Sequence, residues 1–549
     1  MFKNSGRAKV MKIFSKDILL LIFLATVFLI YEIGSIKFPG PETDEAGVAC
    51  EAMSIKQSLS GQSFIRAMLN HQLPLMRGYH GALDVYVLIS IFSIFPIGVE
   101  SMRMTAIFFG IVTIFLTYFF IARFLNKKYA LFSVFLLIIH PGFIIGTKSG
   151  MHYATIMNAL ALGILSCLLK WYLSKRNKYF YLAMFMLGLG MWTRIQFFWF
   201  VFGVFLTAVV FRNKIRQRFE ISSTRKFLGY SILGIVFFLL GSSIILYNEC
   251  TTDFSTFRTI WECLKNPISG QNLNNLLYFR NLFEVIGNNF RNILTSGYYF
   301  GFAFQDTSNK FINNLYPWLF LTSIVYLSAF VAIKKNHPLR KRILFLLLLF
   351  VGMFILTPIS VSYLPVFHLY FFYPFIQIIV SMAIVTSLQH FKRLKLIVLA
   401  IVLFFILFMV NELNALKGYF NHMEESGGKQ YYSAAIYDLT EYLVNNKISS
   451  VVLSHYGPRN SIKLVSGGLI QEKGCDSVKD WGTFIREKNV FIFYSKEPMD
   501  CTDKFSNLGN FLINAERLDL DEHEIRRFYE RDGSPVYSVY TVIDPKNKK

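Results

Sequence analysis

Apolar runs of about 20 residues, the length that carries a helix across a bilayer, recur along most of this 549-residue chain. In hydrocarbon every backbone N–H and C=O needs a partner within the protein, so continuous runs of this length are predicted to be helices. The fold class predicted is a polytopic α-helical membrane protein. The first run, residues 18–36, follows Lys3, Arg7, Lys9, Lys12 and Lys16. It is too long for a secretory signal core and has no small-residue cleavage site, which predicts a retained span.

A net charge of +22 would suggest a nucleic-acid partner in a soluble protein, so its placement decides the matter. Residues 414–549 hold 18 Lys+Arg against 19 Asp+Glu, while the first 413 hold 38 against 15. The excess lies between apolar runs, where basic residues mark cytoplasmic loops and meet anionic headgroups. Membrane lipids, and no nucleic acid, are the expected partners of this charge.

Basic clusters occur at the N-terminus and at 123–128, 170–178, 212–226, 334–342 and 392–395. If all are cytoplasmic, an even number of crossings separates each from the next. Three apolar runs precede Arg123, so one of them must not cross. The run 83–99, broken by Asp84 and Pro96, is the one expected to lie in the outer interface. The remaining spans are predicted at 18–36, 104–122, 129–146, 153–173, 179–192, 197–211, 227–247, 315–333, 343–360, 368–388 and 396–412. About eleven transmembrane helices result, with outer loops at 37–103 and 248–314. The predicted placement is the plasma (inner) membrane, multi-pass, with a cytoplasmic N-terminus and an extracytoplasmic C-terminus.

After residue 413 the composition changes. Residues 432–445 and 478–488 read as helices, and 450–454, 489–494 and 536–543 as strands, which predicts a small soluble α/β domain over 414–549. Gly427-Gly428 and Gly467-Gly468 read as turns. Five of the six cysteines fall outside in this topology, and the pairs Cys250–Cys263 and Cys475–Cys501 suit an oxidising exterior. No CxxC or HExxH motif stands behind a zinc site.

Residues 41–51 (PETDEAGVACE) follow the first span and place Glu42, Asp44, Glu45 and Glu51 within ten residues. Two readings stand side by side. The cluster is a solvated helix start with Thr43 as N-cap and its acids favoured by the helix dipole. Alternatively, a carboxylate at the mouth of a membrane cavity serves as general base or metal ligand. The same predicted outer surface collects Arg77, His80, Asp84, Lys148, His152, Arg194, His368 and Tyr370. Lys148 and Arg194 lie at span ends on the face where positive charge is disfavoured, which suits the binding of a lipid-linked phosphate better than contact with headgroups.

The order of these stretches resembles the C-type membrane glycosyltransferases (the GT-C fold). It is most similar to glycosyltransferase family 39, with its protein O-mannosyltransferases and lipid A aminoarabinose transferase. The resemblance rests on ETDEAGVACEAM at 42–53, RGYHGALDVY at 77–86, MRM at 102–104, GLGMWTR at 188–194 and residues 363–374, and it covers most of the first 410 residues. It implies Asp44 as the catalytic acid of an Asp-Glu pair with Glu45. Arg194 would then stand in the position that contacts the carrier phosphate, helped by Lys148. Glu51, Arg77, His80, Asp84, His152, His368 and Tyr370 would line the substrate cavity. The chain departs from the family where many members carry an Asp, here His152, and where an Arg-Tyr pair is usual, here His368 to Tyr370.

The implied function is transfer of a sugar from a polyprenyl-phosphate donor to a hydroxyl on a protein, polysaccharide or lipid acceptor. No nucleotide is needed, and a divalent metal is an open cofactor. Two other classes are compatible with a polytopic chain. A transporter or lipid flippase would show a repeat and mid-span charges in broken helices. A non-catalytic membrane scaffold would tolerate loss of Asp44.

Overall fold

The first apolar run folds within α1 (Ser5–Gly34), which ends in a turn that leads directly into the acid stretch. The computed structural model describes residues 5–59, 75–77, 80–149, 152–218, 224–265, 278–304, 312–359, 366–453, 457–473, 485, 487, 489–494, 511, 516 and 521–543. After α1 come α2 (Thr43–Ser58), α3 (Leu83–Phe92), α4 (Val99–Phe124), α5 (Lys127–Ile139) and α6 (Pro141–Lys148). Then follow α7 (His152–Ser174), α8 (Lys178–Met191), α9 (Phe197–Val210), α10 (Thr224–Gly241), α11 (Ser243–Thr251) and α12 (Ser255–Lys265). The later helices of the membrane body are α13 (Tyr316–Ile333), α14 (Arg340–Ile355), α15 (Tyr373–His390) and α16 (Lys395–Ser426).

Among the described residues, six helices are long and apolar enough to cross a membrane, or up to eight if two bent pairs each count as one span. About eleven were expected. The shortfall lies partly in α8 and α9, whose 14 residues each rise about 21 Å against a hydrocarbon core of about 30 Å. The rest lies in α14, which opens on Arg340, Lys341 and Arg342. Helix α3, with ten residues, is also too short to cross.

Two expected straight spans are broken. Helices α5 and α6 meet at 63°, because Pro141 has no N–H with which to continue the ladder. His140 caps α6 instead, its Nδ1 accepting the Gly142 N–H at 3.1 Å. Helices α10 and α11 bend by 67° around Ser242, whose hydroxyl donates back to the Phe238 carbonyl at 3.0 Å, a bond that competes with the backbone ladder. The described part of the expected outer loop 248–314 is itself helical, with α12 and short helices at Tyr278–Glu284, Arg291–Thr295 and Gly297–Phe304.

The apolar membrane body packs as one core that includes Phe28, Tyr129, Phe143, Phe200, Tyr370 and Phe408. A second, smaller core joins α2 and α3 through Ala46, Ala49, Met53, Val85, Leu88 and Phe92, and takes Leu464 from the far end of the chain.

Helix α16 runs 32 residues without interruption, past Glu412, where the span was expected to end. It stops at Gly427 and Gly428, with φ of 72° and 95°, a left-handed stop that glycine adopts without a Cβ penalty. Beyond it, α17 (Ala435–Asn445) and α18 (Arg459–Val465) accompany a five-stranded sheet. Its strands are β3 (Ser450–Leu453), β4 (Gln471–Glu472), β5 (Phe491–Tyr494), β6 (Asp521–Tyr529) and β7 (Pro535–Ile543), after a first small pair, β1 (Met76–Arg77) and β2 (His80–Gly81), near α3. The order is β4-β3-β5-β7-β6, parallel from β4 to β5 and antiparallel beyond. Ile436, Leu439 and Leu443 of α17 pack on one face, against Val451, Ile492 and Val539.

Strands near 450, 491 and 536 and a helix ending at Asn445 lie where the sequence placed them. The helix expected at 478–488 falls almost entirely outside the described residues. Strand β6 was not foreseen: it is an edge strand of sequence DEHEIRRFY, and the charges that blunt such an edge hide its alternation. Cys250 is an exposed free thiol, against the bridge expected to Cys263. The Cys263 side chain, Cys475 and Cys501 lie outside the described residues.

Candidate active site

The four clustered carboxylates are sorted into different tasks by the start of α2. Glu42, not Thr43, is the N-cap: one of its oxygens accepts the Asp44 N–H at 2.8 Å and the Glu45 N–H at 3.3 Å. Glu45 closes the reciprocal half of a capping box by accepting the Glu42 N–H at 3.5 Å. The Glu45 carboxylate is then taken by Arg103 of α4, with Nε to Oε1 at 2.7 Å and Nη2 to Oε2 at 3.0 Å. Both side chains are buried, and the same guanidinium donates to the carbonyls of Ile36, Pro39 and Gly40. Expected to share the chemistry with Asp44, Glu45 is instead a strut that fixes the acid stretch on the membrane body.

Asp44 is the member of the cap that stays exposed. Protein nevertheless surrounds most of its carboxyl, and this loss of water raises its pKa, opposed by the nearby Arg194 guanidinium. Beside it, burial and the Asp44 charge push the Glu42 carboxyl up to about 8. Two adjacent acids with displaced affinities for a proton are a common basis for acid–base chemistry.

Arg194 is placed by the tight turn between α8 and α9. Its backbone pairs with His80 of β2, and its Nη2 lies 3.2 Å from His80 Nε2. Gly81 is required beside this pair, since a Cβ there would lie 1.7 Å from the Trp192 carbonyl oxygen. His368, buried just before α15, lies within electrostatic reach of Arg194 and His80. The structure thus gathers Asp44, Arg194, His80 and His368 from four distant parts of the chain.

Other expected residues lie elsewhere. Lys148 is fully buried at the end of α6, donating to Ser35 Oγ at 2.6 Å and packing over the Phe420 ring at 5.6 Å, with Glu32 of α1 in the same pocket. The bend at Pro141 turns α6 inward, so Lys148 faces this pocket and not an open cavity. Tyr370 is also fully buried, its hydroxyl 2.5 Å from Thr147 Oγ1 and 3.3 Å from the Phe143 carbonyl. Asp84 is buried in the first turn of α3, accepting the Val85 N–H at 2.9 Å. Glu51 is half-buried on α2, within electrostatic reach of Tyr86. The backbones of Arg77 and His152 lie in β1 and at the start of α7, and their side chains fall outside the described residues. Among the described residues no three His, Cys, Asp or Glu side chains gather as a metal-ligand set.

Several polar groups were not foreseen. Glu32 hides in the first apolar run, where a single acid among apolar residues was the available signal. In the membrane body, Glu412 of α16 accepts the Asn313 amide at 2.6 Å and faces His140 Nε2 at 3.9 Å. Tyr432, from the segment before α17, lies buried among Glu42, Asp44 and Glu45, and burial together with these charges raises its pKa.

A helical membrane body with an acid-capped helix after its first span, closed by a C-terminal sheet, has the fold of the C-type membrane glycosyltransferases. Residues 80–241, from β2 to the end of α10, match the family model for dolichyl-phosphate-mannose-protein mannosyltransferase. The structure of ArnT from Cupriavidus metallidurans bound to undecaprenyl phosphate is similar at a TM-score of 0.59 and 11% identity, over 94% of this chain and 97% of that one. Its apo state is similar at 0.58, with 11% identity and the same coverage. The archaeal oligosaccharyltransferase AglB from Archaeoglobus fulgidus, solved with an inhibitory peptide and a dolichol-phosphate, is similar at 0.50 and 13% identity, over 93% of this chain and 69% of that one. At these identities the fold is what is shared. No curated protein matches the sequence.

Proposed function

We propose that this chain is a membrane glycosyltransferase that moves a sugar from a polyprenyl-phosphate donor to an acceptor hydroxyl on the outer membrane face. The observation that carries the reading is the sorting of the acid cluster: Glu42 caps, Glu45 pairs with Arg103, and Asp44 is left exposed beside Arg194. Asp44 takes the proton of the acceptor hydroxyl as its oxygen bonds to the anomeric carbon. The bond from that carbon to the phosphate oxygen breaks, and its electron pair leaves with the lipid phosphate. Arg194, steadied by His80, meets the charge that grows there. The solved relatives carrying undecaprenyl phosphate and dolichol-phosphate support this donor class. In this reading the N-terminus is cytoplasmic, the sheet is extracytoplasmic, no nucleotide is needed, and a divalent metal stays an open cofactor.

Transport is favoured by a specific observation: Glu32 and Glu412 are buried carboxylates within spans, and two spans are broken. Both acids, however, are buried in the packed core, at 0% and 1% exposure, and Glu412 is engaged there by the Asn313 amide. Mass spectrometry of polyprenyl-phosphate lipids separates the two readings. A glycosylated carrier is expected to accumulate equally in cells lacking the protein and in cells carrying Asp44→Asn. An unchanged carrier pool in both strains would sink the transferase reading and leave transport to be tested by lipid translocation in vesicles.

A further inference from the structure

We propose that the C-terminal region is part of the machinery that sets the acid stretch, and that Asn460 is a positioning residue for Asp44. The inference rests on the reading of Asp44 as the base. Asn460 stands in the first turn of α18 and meets α2 three times. Its Nδ2 donates to the Thr43 carbonyl at 3.0 Å, its backbone N–H to Thr43 Oγ1 at 3.4 Å, and its own carbonyl accepts the Cys50 thiol at 3.2 Å. One turn further along α18, Lys463 Nζ donates to Ser54 Oγ at 3.2 Å.

Thr43, Gly47, Cys50 and Ser54 are spaced by four, three and four residues, which places them on one face of α2. Gly47 belongs to that face because a Cβ there would come within 3.0 Å of Asn460 Nδ2. Its lack of a side chain lets α18 lie close enough for the carboxamide to reach the helix start.

The chain leading into α2 is held from the same side. Ser461 Oγ donates to the Pro41 carbonyl at 2.8 Å, the Gly40 N–H to the Tyr432 carbonyl at 2.7 Å, and Tyr437 to the Lys37 carbonyl at 2.9 Å. From the membrane side Arg103 takes the carbonyls of Ile36, Pro39 and Gly40. The stretch carrying Asp44 is therefore gripped from two directions by segments that are distant in sequence. A reacting group displaced by 1 Å can lose about 100-fold in rate, and Asn460 bonds the residue immediately before Asp44.

The test uses the full chain in lipid nanodiscs, with Asn460→Ala, with Gly47→Ala to press on the same contact, and with Arg527→Ala on the exposed edge strand as control. Hydrogen exchange across residues 40–50 is expected to quicken in the first two variants and not in the control. Turnover of the lipid-linked sugar is expected to show kcat lowered by about 10- to 100-fold, with the donor KM and the melting temperature little changed. Unchanged exchange in Asn460→Ala overturns the grip, whatever the substrate. Quickened exchange with an unchanged kcat overturns the positioning role, as does a loss of activity that follows the melting temperature alone. If the wild-type chain turns over no lipid-linked sugar while exchange still quickens, the grip stands and the assigned reaction falls.

Discussion

Arg103 presents two guanidinium nitrogens to the two oxygens of Glu45, at 2.7 and 3.0 Å, and neither side chain reaches solvent. A forked pair of this kind fixes orientation as well as distance, which a lysine would not reproduce. Because Arg103 stands in the long apolar helix α4 and Glu45 in α2, the pair ties the acid stretch to the apolar helical body.

Removing one partner leaves the other as an uncompensated buried charge. Arg103→Met is expected to destabilise the protein by about 3–5 kcal/mol, and the double replacement Arg103→Met with Glu45→Leu by less, since only the stranded carboxylate is removed while the Ile36, Pro39 and Gly40 carbonyls lose their donor in both. Thermal unfolding in detergent with a double-mutant cycle measures this. Equal losses in the single and double variants would refute the strut.

The pH dependence of turnover follows from the surroundings of Asp44. Burial raises this carboxyl and Arg194 pulls it back down. A base must be ionised, so the rate climbs as pH rises through its pKa. Arg194→Gln removes the downward pull and is expected to move the acid limb of the kcat profile to higher pH. A limb that stays in place, or moves lower, would separate Arg194 from Asp44.

Glu42 makes a distinct prediction for stability. Its carboxyl is raised from 4.5 to about 8 in the folded protein, so folding favours the protonated form. That contribution is fully present below the ordinary value and is lost as pH climbs through about 8. Glu42→Gln keeps an oxygen to accept the cap N–H bonds and is expected to flatten the fall in melting temperature between these limits. Parallel wild-type and variant curves would contradict it.

Lys148 distinguishes a core cation from a ligand for phosphate. Lys148→Met is expected to lower the melting temperature while leaving the donor KM unchanged, and Glu32→Gln in the same chain to restore part of the loss, since buried neighbours couple. A raised donor KM at full stability would place Lys148 on the substrate after all.

Glu412 is held by the Asn313 amide inside the membrane body. Glu412→Leu leaves the Asn313 amide only its longer bond to the Phe408 carbonyl, at 3.3 Å, and is expected to cost about 1–3 kcal/mol, with Glu412→Gln milder because its oxygen can still accept. Equal unfolding midpoints for the two variants would show that the hydrogen bond is immaterial.

Much of the membrane body was legible because length and hydropathy are local properties. The acid stretch, the short apolar helix near residue 83 and the strands at 450 and 491 stood out for the same reason. Span number was less legible: α8 and α9 are apolar enough to insert, but their turn at Arg194 comes after only 14 residues. What stayed hidden depends on contacts between distant segments. Glu45 and Asp44 are adjacent acids in the sequence, and only Arg103, 58 residues away, assigns them different work. Lys148 resembled a phosphate ligand because nothing local tells which way α6 turns after Pro141. The role of Asn460 lay further still from view, 417 residues beyond Thr43.

Helix α16 gives the chain an uneven tolerance to changes in length. Between Glu412, seated in the membrane body, and Gly427, where the sheet region begins, there is no loop to absorb an added residue. One insertion there would turn everything beyond it by about 100° and advance it by about 1.5 Å, carrying Tyr432, Tyr437 and Asn460 off the backbone they hold. Four residues, just over one full turn, would nearly restore the angle while displacing the grip by about 6 Å. The register of a single helix is thus a ruler, and the candidate site is read at its far end.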